Sequence, residues 1–158
     1  MRWSELDMER GLWTFGMERA KNDQKHTVHL SEPALAILSK LPRRVDSDFV
    51  FTTTGRTSVS GFSKVKARVD KLSAVSEWRL HDLRRTAATM MAERLEINPA
   101  VVDKILNHRS GVVRGVAAVY QRGQYLKERK AALSRWGNFL KNLLPNYNQK
   151  TSNIKQKQ

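Results

Sequence analysis

The apolar residues of this chain change their spacing near Ser60, and that change limits what the chain can fold into. Over the first thirty residues they alternate: Trp3 and Leu6, then Leu12, Trp13 and Phe15, then Val28 and Leu30, with polar breaks at 7–11 and 21–25. Alternation is the period of a strand with one buried face, and Asn22-Asp23 is turn-forming. A small antiparallel sheet is therefore expected, with Lys21 and Lys25 on an exposed hairpin tip. After Ser60 the spacing becomes three and four, as in Phe62, Val65, Val69 and Leu72, which is one face of a helix. The fold class that holds both patterns is α+β, mainly α-helical: a small N-terminal antiparallel sheet beside a helical bundle.

Local signals place the elements. Ser31 reads as an N-cap with Pro33 in the first turn, and Leu35, Ile37, Leu38 and Leu41 give a short amphipathic helix that Pro42 ends. Phe49-Val50-Phe51 reads as a short buried strand, and 52–60 as a loop containing Gly55. The apolar stripe from Phe62 to Leu72 is opposed by Lys64, Lys66, Arg68 and Lys71, a face suited to phosphates or to water. The next helix should start near His81, run through Leu95 and bury Leu83, Ala87, Met90 and Met91. Asn98 caps a helix with Pro99 at its first position and Val101, Val102, Ile105 and Leu106 inside. Residues 116–120 fit a short helical turn, and Leu126, Leu133, Trp136, Leu140 and Leu143 define a last long helix stopped by Pro145. The expected organisation is one domain over residues 1–144 and a disordered polar tail over 145–158, too poor in apolar residues to order itself. No internal repeat is visible.

A net charge of +14 in 158 residues bears on partners more than on fold. Excess Lys and Arg attract polyanions and release condensed counterions on meeting phosphates, so a nucleic acid is the expected partner, against the plainer reading of a solvated basic surface. There is no cysteine, which removes disulfides and thiolate metal sites. No membrane-spanning run and no signal-peptide core are visible, so no membrane partner and a cytoplasmic location are expected.

His81-Asp82-Leu83-Arg84-Arg85 is the densest chemical signal. His81 and Arg84 leave one helix face about a turn apart, so a guanidinium fork and a titratable imidazole could share one phosphate. The same spacing also suits an ordinary helix histidine and a surface arginine. Arg85 points elsewhere, to a structural or backbone contact. His108 follows Leu106-Asn107 at a helix C-terminus, where an imidazolium is favoured, so a capping role is an equal reading. Tyr120 could be packing alone, and Lys21 an ordinary solvated lysine. His26 and His29 have opposite parity on a strand and lack a cysteine or nearby carboxylate, which argues against a zinc site. No Gly-rich phosphate loop is present, so nucleotide hydrolysis has no support.

Taken in order, these residues resemble the C-terminal catalytic domain of tyrosine recombinases, specifically the prophage and genomic-island integrases. The resemblance covers residues 1–144 and rests on Arg2-Trp3-Ser4-Glu5-Leu6-Asp7, Ala20-Lys21-Asn22, His29-Leu30-Ser31, Leu80-His81-Asp82-Leu83-Arg84-Arg85-Thr86, Leu106-Asn107-His108 and Val116-Ala117-Ala118-Val119-Tyr120. It implies that Tyr120 is a nucleophile forming a 3′-phosphotyrosyl link with release of a 5′-hydroxyl, and that Arg84 holds the non-bridging oxygens. It further implies that His81 and His108 bind the phosphate and handle the tyrosine proton, and that Lys21, or Lys25 if the hairpin register slips, protonates the leaving oxygen. No metal and no cofactor are implied, because cationic side chains supply the electrostatics.

The resemblance also implies a further catalytic arginine upstream of the Arg2-Trp3-Ser4 segment, a position that Arg2 does not match, and an N-terminal DNA-clamping domain. The expectation is therefore a fragment that binds DNA weakly and recombines nothing unaided, its intact form working as a homotetramer on attachment sites. The last helix is expected to pack on its own domain rather than on a neighbour. The rival readings are a non-catalytic DNA-binding remnant of an integrase and, more distantly, a type IB topoisomerase domain.

Overall fold

A computed structural model describes residues 1–16, 26–107 and 125–143. The expected hairpin tip at 21–25, His108, the turn at 116–120 with Tyr120, and the tail at 145–158 lie outside the described residues.

The alternating N-terminal segment forms a three-stranded antiparallel sheet in the order β1 (Leu6–Asp7), β2 (Leu12–Phe15), β3 (His26–His29). Leu6 pairs with Trp13, and Trp13 in turn with Val28, so apolar residues stack across all three strands. The β1–β2 turn is closed by the Asp7 carboxylate accepting the Arg10 amide at 2.8 Å, and Gly11 takes the positive φ of 63° that ends it.

Two expected strand positions resolve differently. Trp3 lies in a 3-10 turn, Trp3–Glu5, because the Glu5 carboxylate accepts the Arg2 amide at 2.9 Å and the Trp13 indole N–H at 3.0 Å, curling the chain before β1. Phe49-Val50-Phe51 makes only an isolated antiparallel bridge, Arg2 to Phe49, since its partner is the short run that turns away into the 3-10 segment. Val50 is buried nonetheless, while Phe51 is exposed.

Five helices are described: α1 (Glu32–Ser39), α2 (Phe62–Ser73), α3 (Leu80–Glu93), α4 (Pro99–Ile105) and α5 (Leu126–Leu143). Ser31 is the N-cap residue of α1 by position, without a side-chain cap bond. Asn98 caps α4 as its sequence suggests, its side-chain oxygen accepting the Ala100 amide at 2.9 Å. The core is Met91 from α3, Ile97, Val101 and Val102 from the next turn and α4, and Ala132 from α5, with Leu133 and Trp136 packed against it. The last helix thus packs on its own domain through Leu133 and Trp136, with Leu140 more exposed.

Helices α2 and α3 depart from the expected burial. Leu83 is 61 % exposed, and the buried face of α3 comes from Met91, with Ala87 and Ala88 partly covered. In α2 none of Phe62, Val65, Val69 and Leu72 is buried. This helix is instead tethered at its end by a polar knot: Lys66 Nζ bonds Asp70 at 2.7 Å and the Ser76 carbonyl at 3.0 Å and lies over the Trp78 ring, whose N–H donates to Asp70 at 2.8 Å.

Candidate functional site

The five-residue run from His81 to Arg85 divides its labour. Asp82 is structural: its carboxylate accepts the Arg79 amide at 2.8 Å and starts α3. Arg85 is exposed and lies 3.6 Å from that same carboxylate, which supports the structural reading of this residue. His81 is exposed at the first turn. Arg84 is partly buried, and its Nη2 donates to the Leu106 carbonyl. Leu106 is the C-cap of α4, and Asn107 after it takes a left-handed φ of 52°, bending the chain immediately before His108. The structure therefore brings Arg84 against the end of α4 from which His108 follows.

A second tie joins α4 to the sheet. His26, the first residue of β3, hydrogen-bonds the backbone of Ile105. A third joins the sheet to α5: Arg129, only 2 % exposed, donates through Nη2 to the Thr27 carbonyl. Four structural elements are consequently linked: the N-terminal half of α3, the last turn of α4, the start of β3 and the first turn of α5. In sequence Lys21 precedes β3, His108 follows Asn107 and Tyr120 precedes α5, and those three residues lie outside the described residues.

The electrostatics of the cluster favour neutral imidazoles. Burial pushes the His26 pKa down, and the Arg129 guanidinium pushes it further in the same direction, against the opposing effect of the Ile105 bond. His29 is lowered by burial and then by Arg129 and Lys130, and its Nδ1 is buried without a hydrogen-bond partner among the described residues. Burial also lowers Arg129 from its ordinary value.

Sequence reasoning missed Arg129, although a signal was present. It stands one turn before Ala132 and Leu133 and two before Trp136, the residues of α5 that meet the core, and a charged residue in line with such a face needs a partner. Elsewhere, a surface hollow between Trp3 and residues 43–48 contains Arg43 and Arg44, but its charges are matched internally: Arg43 stacks 5.4 Å from the Trp3 ring centre, Arg44 lies 3.3 Å from Asp46, and the Ser4 amide and hydroxyl hold Asp48. Among the described residues no three His, Asp or Glu side chains converge on a metal position, and no helix is long and apolar enough to cross a membrane.

The sequence model of the phage integrase family matches residues 1–131. Prophage integrase IntA of Escherichia coli (strain K12) is 29 % identical over 142 residues, covering 89 % of this chain and 34 % of that protein. Prophage integrase IntZ of the same organism is 26 % identical over 144 residues, covering 90 % of this chain and 35 % of that protein. The chain thus spans about a third of the length of the curated relatives it matches. No solved structure is significantly similar to it.

Proposed function

The chain belongs to the phage integrase family, and from that premise we propose that it cuts and rejoins DNA strands in site-specific recombination, with Tyr120 as nucleophile. In this reading the Tyr120 phenol oxygen attacks a backbone phosphorus, the Tyr–O–P bond forms as the P–O5′ bond breaks, and the DNA is left joined through a 3′-phosphotyrosyl link. The phenol proton passes to the His81 and His108 pair, and Lys21 gives a proton to the departing 5′ oxygen. Because the energy of the broken phosphodiester is kept in the new ester, the reverse attack by a 5′-hydroxyl reseals the strand without a nucleotide cofactor.

Arg84 serves the charge that grows on the non-bridging oxygens. Its fork is held partly by the Leu106 carbonyl, which leaves a planar cation oriented before DNA arrives. The observation that carries the reading is the linkage of four structural elements in one cluster, through the contacts of Arg84 with Leu106, His26 with Ile105 and Arg129 with Thr27. Lys21 precedes His26, His108 directly follows Asn107 and Tyr120 precedes Tyr125 in the chain, which supports bringing them to the same cluster as Arg84. The partner is double-stranded DNA, with the intact recombinase acting as a homotetramer on paired sites.

The test is a nicked suicide duplex library with a randomised core, in which a cleaved strand diffuses away and traps the covalent adduct. It is run with the chain alone and with the preceding part of IntA added in trans. Adducts that disappear in Tyr120→Phe support the assignment. Absence of adduct in both arms overturns it and leaves a DNA-binding remnant.

A further inference from the structure

We infer that Arg129 is a positioning residue for strand cleavage: it pins the first turn of α5 to the start of β3, and so fixes the spacing between the chain that arrives from Tyr120 and the chain that arrives from Lys21. The inference rests on the cleavage reading above. It is argued from three features of Arg129 that cleavage chemistry does not itself require.

The first is location. Arg129 occupies an inward position of α5, on the face otherwise filled by Ala132, Leu133, Trp136 and Gly137, and is 2 % exposed. A leucine there would continue the apolar stripe at no electrostatic cost, whereas a buried guanidinium is costly unless its hydrogen bonds are geometrically good. The second is the partner. Thr27 offers a backbone carbonyl, so the bond reports where β3 runs, independent of side-chain identity. The third is the neighbourhood. The guanidinium charge reaches His26 and His29 of β3 and lowers both, after burial, and from α5 itself Lys130 adds charge toward His29. His26 carries the tie onward to Ile105 at the end of α4.

The planar fork matters here because it donates in fixed directions, which a lysine ammonium does not. Both anchor points sit at the beginnings of their elements, where a small shift is passed directly to the adjoining chain. Since Arg129 is buried, DNA does not touch it, and its effect falls on the chemical step and not on affinity. A misplacement of about 1 Å at a reacting group is enough to cost on the order of 10²-fold in rate.

The experiment uses the 158-residue chain with Arg129→Met and Arg129→Lys on the same suicide duplexes, measuring adduct rate at saturating DNA and DNA affinity separately. Arg129→Met is expected to lower the rate by about 10²-fold while leaving affinity within about twofold, and Arg129→Lys to recover part of the rate. An unchanged rate, or a loss confined to affinity, overturns the inference. A second readout needs no cleavage: the His26 imidazole titration followed by NMR. Its midpoint should rise in Arg129→Met as the guanidinium is removed, and an unchanged midpoint overturns the pinning of α5 to β3. If the parent chain forms no adduct in either arm, alone or with the preceding part of IntA, the cleavage reading falls, while the His26 midpoint still decides the pinning. Should Arg129→Met not fold, Arg129→Gln, which keeps an N–H donor without the charge, carries both comparisons.

Discussion

Arg84 donates from Nη2 to the carbonyl of Leu106, the residue that closes α4. One side chain thereby serves two ends, holding α3 to α4 while presenting its remaining donors. The two roles separate on substitution. Arg84→Ala should remove a charge-assisted bond and leave the Leu106 carbonyl short of a partner, for a loss of about 1–3 kcal/mol of stability in urea unfolding. It should also lower adduct formation by about 10²–10³-fold, the usual cost of one transition-state donor. Arg84→Lys should recover most of the stability and little of the rate, because a single ammonium cannot both bond Leu106 and grip two phosphate oxygens. Equal recovery of both would remove Arg84 from the chemistry.

The His26, His29 and Arg129 cluster makes stability depend on pH in a defined window. Both histidines are lowered in the folded state from the ordinary value of 6.5. As pH falls below 6.5 the unfolded chain takes up protons that the folded chain refuses, so stability declines from that point down to the folded pKa values and then levels. Asp48, lowered first by its Ser4 hydrogen bonds, acts in a separate, more acidic window below its ordinary 3.8. Urea unfolding across both ranges should show two steps. His26→Gln should shrink the upper step to the share of His29 and leave the lower one intact.

Gly137 lies where α5 crosses the start of α1, and a Cβ built there would come within 2.7 Å of the Ser31 Cβ and Oγ and 3.2 Å of the Pro33 ring. In an open helix Gly→Ala would stabilise by about 1 kcal/mol through backbone entropy. Here steric displacement dominates, since Ser31 and Pro33 belong to the rigid first turn of α1. Gly137→Ala should therefore destabilise by about 1–3 kcal/mol, as overpacked cores do. The double variant with Ser31→Gly should regain part of that loss in thermal unfolding.

Much of the fold was legible because it follows from local rules. Asn98 with Pro99 marks the start of α4, and the apolar run Leu12, Trp13, Phe15 followed by Val28 and Leu30 marks the antiparallel pair. What was not legible depends on contacts distant in sequence. Trp3 leaves the strand pattern because Glu5 meets both Arg2 and Trp13, and Phe49 to Phe51 pairs only with the short run at residues 1–3 and, through the Phe51 carbonyl, with Val59. The periodicity of Phe62 to Leu72 correctly gives a helix but not its burial, since a stripe states which face is apolar and not what covers it. Of the proposed site, the sequence offers His81 and Arg84 as candidates by spacing, whereas Arg129 reads as one more charge in Lys127-Glu128-Arg129-Lys130 until Thr27 stands opposite it.

Helix α2 offers the sharpest division among the cations. Lys64, Arg68 and Lys71 are exposed, while Lys66 is committed to Asp70, Ser76 and Trp78. An exposed cation that meets a DNA phosphate contributes to the salt dependence of binding, with a slope of about −0.9 per neutralised phosphate. Replacing Lys64, Arg68 or Lys71 by Gln should thus weaken DNA binding at low salt and make the log–log slope shallower by about one for each phosphate left without its cation. Lys66→Gln should behave differently: the slope stays, but the knot at the end of α2 loosens, and the loss appears as lowered stability and faster amide exchange around Trp78. A slope that falls equally for all four would mean that the Lys66 network opens on DNA, and a slope unchanged in all four would remove α2 from the DNA-binding surface.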